Sequence, residues 1–212
     1  KADSKASFAL TACQQQAIAA ITGLINQAPR RGQLLITADR GRGKSTAMGI
    51  ALSQLKAPRV RLTAMSRQAA AVVMQHADEA APEYLAPEQV MPGDSPLMID
   101  EAAALPIGVI NRLVKENPCC ILSSTVHGYE GSGHGLTLRL ARGLKKTSCS
   151  FEHLTLSEPV RWSTDDPLEA LINQILLLDA EPARIRKTSD AAPVNIAALS
   201  PQSLADNESR LY

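Results

Sequence analysis

Gly41-Arg42-Gly43-Lys44-Ser45 follows the apolar run Leu34-Leu35-Ile36-Thr37, and these residue types suit one task, holding the phosphates of a nucleoside triphosphate. Glycines at 41 and 43 let backbone N–H groups turn toward an anion, the Lys44 ammonium can reach the terminal phosphates, and the Ser45 hydroxyl can ligate the accompanying Mg2+. The expected cradle is the whole loop: Ala38, Asp39, Arg40, Gly41, Arg42, Gly43, Lys44, Ser45 and Thr46. The pattern G-x-x-x-x-G-K-[ST] is met with one departure, because small Ala38 stands where the first glycine is usual. A chance Gly-Lys-Ser in a surface turn would lack the strand-like run before the loop and the helical run Thr46–Leu55 after it.

The second constellation is Leu97-Met98-Ile99-Asp100-Glu101, an apolar strand whose carboxyl end delivers two adjacent carboxylates about 55 residues beyond the loop. Asp100 is expected to hold magnesium, directly or through water, and Glu101 to polarise the water that attacks the γ-phosphate. By itself an Asp-Glu pair would equally cap a helix. After a phosphate loop, a strand and a helix, it points to hydrolysis as well as binding. Lys44, Asp100 and Glu101 are thus the expected catalytic set, with Ser45 and Asp100 as metal ligands. Two outlying residues complete a pocket. A glutamine about 30 residues before Lys44 could read an adenine through its amide, and spacing favours Gln14 within the run Gln14-Gln15-Gln16, although exposed glutamines at a helix start read equally simply. Arg161 could offer a fork of donors to the phosphates, or stack as a surface arginine on Trp162.

The elements that must position these groups alternate as a parallel sheet with covering helices requires. Helix Thr11–Asn26 leads through a turn at Pro29–Gly32 to strand Gln33–Thr37 and the loop. Strand Arg59–Thr63, helix Ser66–Ala77, a proline-bearing segment Asp78–Pro96 with room for a short strand, and strand Leu97–Asp100 follow. Helix Ile107–Glu116 then crosses to strand Cys119–Thr125. The glycine-dense segment Gly128–Gly135 precedes helix Leu136–Leu144 and strand Ser150–Leu156, and an apolar run from Pro167 through Leu178 makes a last helix. The reading is one α/β domain over residues 1–180 and a linker or tail over 181–212.

At 212 residues and 45% apolar content the chain can bury a real core, and with two Phe, three Tyr and one Trp that core is aliphatic. A net charge of +1 excludes the strongly positive field of a nucleic-acid coating protein. Nucleic-acid contact would fall to local clusters such as Arg139, Arg142, Lys145 and Lys146, or Arg184, Arg186 and Lys187. Cys13, Cys119, Cys120 and Cys149 show no zinc-site spacing and read as free thiols of a cytoplasmic protein. No apolar run is long enough for a membrane span. The start at Lys1, without Met, suggests a piece of a longer protein.

Ala38–Ser45, Ile99-Asp100-Glu101-Ala102-Ala103-Ala104-Leu105-Pro106, Ser124-Thr125-Val126-His127-Gly128-Tyr129-Glu130-Gly131-Ser132-Gly133 and Pro159-Val160-Arg161-Trp162 together resemble the helicase-like module of bacterial tRNA(Met) cytidine acetyltransferase. The resemblance spans roughly Phe8 to Asp179. It implies a RecA-like P-loop NTPase of the RecD type, with a parallel sheet flanked by helices on both faces. The implied parent forms N(4)-acetylcytidine at the wobble position of elongator tRNA(Met), with acetyl-CoA bound by an acetyltransferase domain outside this chain. Carried over, the resemblance makes Gln14 an adenine contact of ATP, Gly41 to Ser45 the phosphate cradle, Asp100 and Glu101 the magnesium and water residues, and Arg161 a nucleotide contact. Ser124 or Thr125 would then sense the γ-phosphate. His134 and Leu136 depart from the family's usual arginine and aromatic. Two other readings stay open, a fragment of a RecD-type DNA or RNA helicase and a nucleotide-stabilised RNA-docking domain without turnover.

Overall fold

A computed structural model of the chain describes residues 9–28, 31–55, 59–126, 150–161 and 166–175. Their elements are α1 (Ala12–Asn26), β1 (Gly32–Ala38), α2 (Lys44–Ser53), β2 (Arg61–Thr63), α3 (Ala71–His76), β3 (Glu83–Tyr84), β4 (Leu97–Ile99), α4 (Ile107–Glu116), β5 (Cys119–Thr125), β6 (Phe151–Leu156) and α5 (Pro167–Ile175), with 3₁₀ turns at Asp78–Ala80 and Ala102–Ala104. The strands form one sheet in the order β3-β2-β4-β5-β1-β6, and every pairing is parallel. This is the expected α/β RecA-like architecture.

All seven residues of β1 and all seven of β5 are buried, as central strands covered on both faces must be. Period-two alternation sorts their side chains. Leu34, Ile36, Met98 and Ile121 face α1, α2 and α3 in one cluster built on Ile18, Ile21, Met48, Leu52 and Val73. Leu35, Leu97, Ile99, Cys120 and Leu122 face the other way and pack on Ile110, Leu113 and Val114 of α4. The α2–α3 contact is close enough that a Cβ on Gly49 would stand 2.6 Å from the Val73 carbonyl oxygen, so glycine sets that approach. Cys13, Cys119 and Cys120 are free thiols, and burial pushes the last two up to about 11 and about 12.

Thr11 begins α1 as expected, with a capping box in which its hydroxyl accepts from the Gln14 N–H and the Gln14 side chain accepts from the Thr11 N–H. The helix read over Ser66–Ala77 is shorter. The Ser66 hydroxyl accepts the Ala69 N–H at 3.1 Å, a local bond that favours a turn over a helix interior, and regular helix is confined to Ala71–His76. The segment Asp78–Pro96 does contain a short strand, β3, beside β2. The glycine segment 128–135, the helix read at 136–144, both basic clusters, Cys149, Trp162, the end of the last helix beyond 175 and the tail 181–212 lie outside the described residues. Among the described residues no helix is long and apolar enough to cross a membrane.

The sheet's amino-terminal edge is closed by one guanidinium. Arg61 donates to the carbonyls of Met91 at 2.8 Å, Gly93 at 3.2 Å and Ser95 at 2.6 Å, and to Asn117 Oδ1 at 2.8 Å. Asn117, fully buried, passes its own amide hydrogen to the Leu113 carbonyl. Arg61 therefore ties the proline-bearing segment to the start of β5, far from the strands' carboxyl ends. Replacing Arg61 with alanine removes four donor bonds and leaves the oxygen of buried Asn117 unmet, which is expected to cost about 2–3 kcal/mol. Urea unfolding checks this, and Arg61→Lys should recover only part of the loss because an ammonium cannot span four acceptors.

Candidate functional site

Because β1, β4 and β5 run parallel, their carboxyl ends meet at one edge, where an open α/β sheet binds its ligands. Ala38 is the last ladder residue of β1, buried and in register with Thr125 and Leu156. It is strand rather than loop, its φ is not positive, and the usual glycine is not needed there. Gly41 and Gly43 do need to be glycine, with φ of 76° and 77°. Gly43 is the N-cap of α2, and a Cβ on it would run into the Gln14 side-chain amide. Ahead of both glycines, Asp39 is half-buried and Arg40 exposed in the turn. Arg42 pairs with Glu169 of α5 at 2.8 Å, the two side chains 11% and 23% exposed. Thr46, half-buried, lies in the first turn of α2.

Lys44, at the start of α2, is only 6% exposed. Its ammonium donates to Thr125 Oγ1 at 3.0 Å and lies 3.6 Å from Glu101 Oε1. Thr125 in turn donates to Glu101 Oε2 at 2.8 Å. A buried lysine is thereby neutralised by a carboxylate half-open to solvent, with one hydroxyl bridging the two. The three come from α2, the end of β5 and the residue after Asp100.

Asp100 is fully buried. Its Oδ1 accepts from Ser45 Oγ at 3.1 Å, Ser123 Oγ at 2.6 Å and the Glu101 N–H at 3.2 Å, while its Oδ2 is buried with no hydrogen-bond partner among the described residues. Burial holds its carboxyl above the usual carboxylate range, against the hydrogen bonds from Ser123 and Ser45. An orphaned carboxylate oxygen beside a serine hydroxyl is a hard oxygen pair of the kind magnesium takes together with phosphate oxygens. The residues present fit that ion. Ser45 Oγ and Asp100 would hold it, where it would neutralise phosphate charge.

The geometry therefore brings Lys44, Ser45, Asp100 and Glu101 into one cluster. Gln14 is 2% exposed and reaches the loop from α1, its Nε2 donating to the Gly43 carbonyl at 3.5 Å while its Oε1 accepts from the Thr11 N–H at 3.1 Å. Its amide has structural work that sequence reading did not anticipate. Arg161 is exposed, next to Val160, whose N–H donates to the Gly41 carbonyl at 3.0 Å; among the described residues its side chain makes no hydrogen bond or ion pair with the loop. Of the two residues read as γ-phosphate sensors, Thr125 touches Lys44, whereas Ser124 is a buried residue in register with Thr37. Ser123 was missed. Strand alternation from Ile121 carries Ser123 and Thr125 onto one face, and that was the available signal.

Asp100→Asn keeps an acceptor for the three donors and removes a buried charge. Without nucleotide, the variant is expected to melt a few degrees higher at neutral pH. A carboxyl whose folded pKa is raised costs stability above that pKa, so the gain should fade as pH drops toward the ordinary carboxylate range. In the same variant, magnesium should no longer strengthen nucleotide binding. Thermal melts from pH 4 to pH 8 and titrations with and without magnesium check both expectations.

The model of the family "RNA cytidine acetyltransferase NAT10/TcmA, helicase domain" matches residues 35–179, a span that contains the loop from Ala38 onward and the whole Lys44–Asp100–Glu101 cluster. Among similar proteins, the tRNA(Met) cytidine acetyltransferase TmcA of Vibrio cholerae is 31% identical over 204 residues, 86% of this chain and 29% of its own. The protein of the same name from Idiomarina loihiensis is 39% identical over 153 residues, 70% of this chain and 25% of its own. That of Haloferax volcanii is 33% identical over 231 residues, 94% of this chain and 30% of its own. The chain spans between a quarter and a third of the length of these relatives. With a matching family model over most of its length and an all-parallel sheet to go with it, the chain belongs to the NAT10/TcmA RNA cytidine acetyltransferase helicase-domain family.

Proposed function

We propose that this chain is the ATP-binding and ATP-hydrolysing module of an enzyme that acetylates a cytidine of tRNA(Met), acting in the cytoplasm and using the energy of hydrolysis to present the tRNA. The observation that supports this best is the Lys44–Thr125–Glu101 cluster beside the orphaned Asp100 oxygen. Terminal phosphates entering the loop offer Lys44 a stronger partner than a half-exposed carboxylate. As the ammonium turns to them, Glu101 loses its counter-charge and becomes free to accept a proton from water, which is the role of a general base. Thr125, bonded to both, registers the change. Gln14 and Arg161 are assigned to the adenine and to the phosphates. The relatives' name supplies the substrate class, tRNA(Met); transfer from acetyl-CoA is assigned to a separate acetyltransferase domain of the parent protein.

A target base must leave its stack before chemistry can reach it, at a cost of a few kcal/mol, and ATP turnover is the proposed source. Phosphate release by this chain is expected to depend on Lys44 and to rise when tRNA(Met) is added. Lys44→Ala should lose nucleotide binding and turnover together. Glu101→Gln should bind ATP as the parent sequence does while turnover drops by about a hundredfold. Unchanged turnover in Glu101→Gln would remove Glu101 from the chemistry, and tight binding with no turnover in either protein would leave a nucleotide-stabilised docking domain.

A further inference from the structure

Glu101 sits in the left-handed region, φ 48° and ψ 55°, where non-glycine residues are uncommon. That backbone turn carries its carboxylate to Thr125 and Lys44. Two contacts hold its N–H, Asp100 Oδ1 at 3.2 Å and Ser123 Oγ at 3.0 Å. Ser123 is completely buried. Since the Glu101 N–H can only donate, the Ser123 oxygen accepts there and its own hydrogen goes to Asp100 Oδ1 at 2.6 Å. One hydroxyl thus fixes both carboxylate residues: it holds Glu101 in its left-handed turn and keeps Asp100 rotated with Oδ1 saturated and Oδ2 bare.

We propose that Ser123 is a positioning residue for hydrolysis, holding Glu101 in the conformation that delivers its carboxylate to the Lys44–Thr125 pair. The proposal rests on the hydrolytic reading above. Its role is distinct from that of Lys44: Ser123 reaches the nucleotide only through Asp100 and Glu101, so losing its hydroxyl should spare binding and slow the chemical step. Steady-state ATP turnover and a crystal structure of Ser123→Ala test it, with Ser123→Thr as the hydroxyl-retaining companion. In Ser123→Ala, kcat is expected to fall by about ten- to a hundredfold with KM for ATP within about threefold of the parent value. In the crystal, Glu101 should leave the positive-φ region and its carboxylate should withdraw from Lys44. Ser123→Thr should keep the turn and most of the turnover. An unchanged kcat, a loss of kcat and affinity together, or a Glu101 that stays at positive φ without the hydroxyl would each overturn the proposal. If the parent chain itself shows no Lys44-dependent turnover, the hydrolytic reading fails separately, and the Glu101 conformation in the Ser123→Ala crystal still decides what Ser123 holds.

Discussion

A carboxylate buried in the core, with one oxygen saturated and the other bare, is the constraint around which the rest of this domain is arranged. Asp100 is fully buried at the end of β4, where an uncompensated charge is costly. Three donors on Oδ1 offset part of that cost, and they come from three separate elements: α2 through Ser45, β5 through Ser123, and the chain's own turn through Glu101. None can shift without the others. The parallel pairing of β4 with β5, and of β5 with β1, is what sets these three within reach. Burial that leaves Oδ2 unmet among the described residues costs the fold stability and keeps one acceptor bare at the site.

Most of this arrangement could be read before the fold was known, for reasons that differ by residue. That Lys44, Ser45 and Asp100 come together was legible because strand–loop–helix geometry fixes where each functional group stands. The two-faced sheet was legible because β1 and β5 read as unbroken apolar runs and α4 carries a clean apolar stripe of Ile110, Leu113 and Val114. The Ala38 departure from the glycine pattern dissolves once that residue is seen in the β ladder. Pattern alone could not tell a ladder residue from a loop residue there, because strand ends are the least determined part of any sequence reading.

What stayed hidden depends on long-range geometry or on backbone conformation. Nothing in the types Asp100-Glu101-Ala102 announces a left-handed turn, which glycine or asparagine would have signalled. The partnership of Arg42 with Glu169 joins residues 127 positions apart, and an arginine in the loop would have been read simply as a phosphate contact. Gln14 shows the opposite difficulty: its type and spacing suggest a nucleotide contact, yet its amide closes the capping box of α1 and touches the Gly43 carbonyl. A side chain with two donors and two acceptor positions can serve both ends.

The phosphate loop itself is held in a way that leaves its binding groups available. Gln14 reaches the Gly43 carbonyl from α1, Val160 reaches the Gly41 carbonyl from beyond β6, and Glu169 reaches the Arg42 side chain from α5. Each of these anchors takes a carbonyl or a side chain, and none takes the N–H of Gly41 or Gly43. These anchors hold the loop through its carbonyls and the Arg42 side chain and leave its N–H groups unused by them. The first turn of α2 carries no acidic residue of its own, and the carboxylates that reach it, Asp100 at Ser45 and Glu101 at Lys44, come from the carboxyl end of β4. A helix N-terminus with no side-chain cap and a buried ammonium beside it is an electrostatic environment that a polyphosphate would complete. Rigidity and availability are usually in competition in a loop of this length. Here they are separated by assigning one to the carbonyls and the other to the amides.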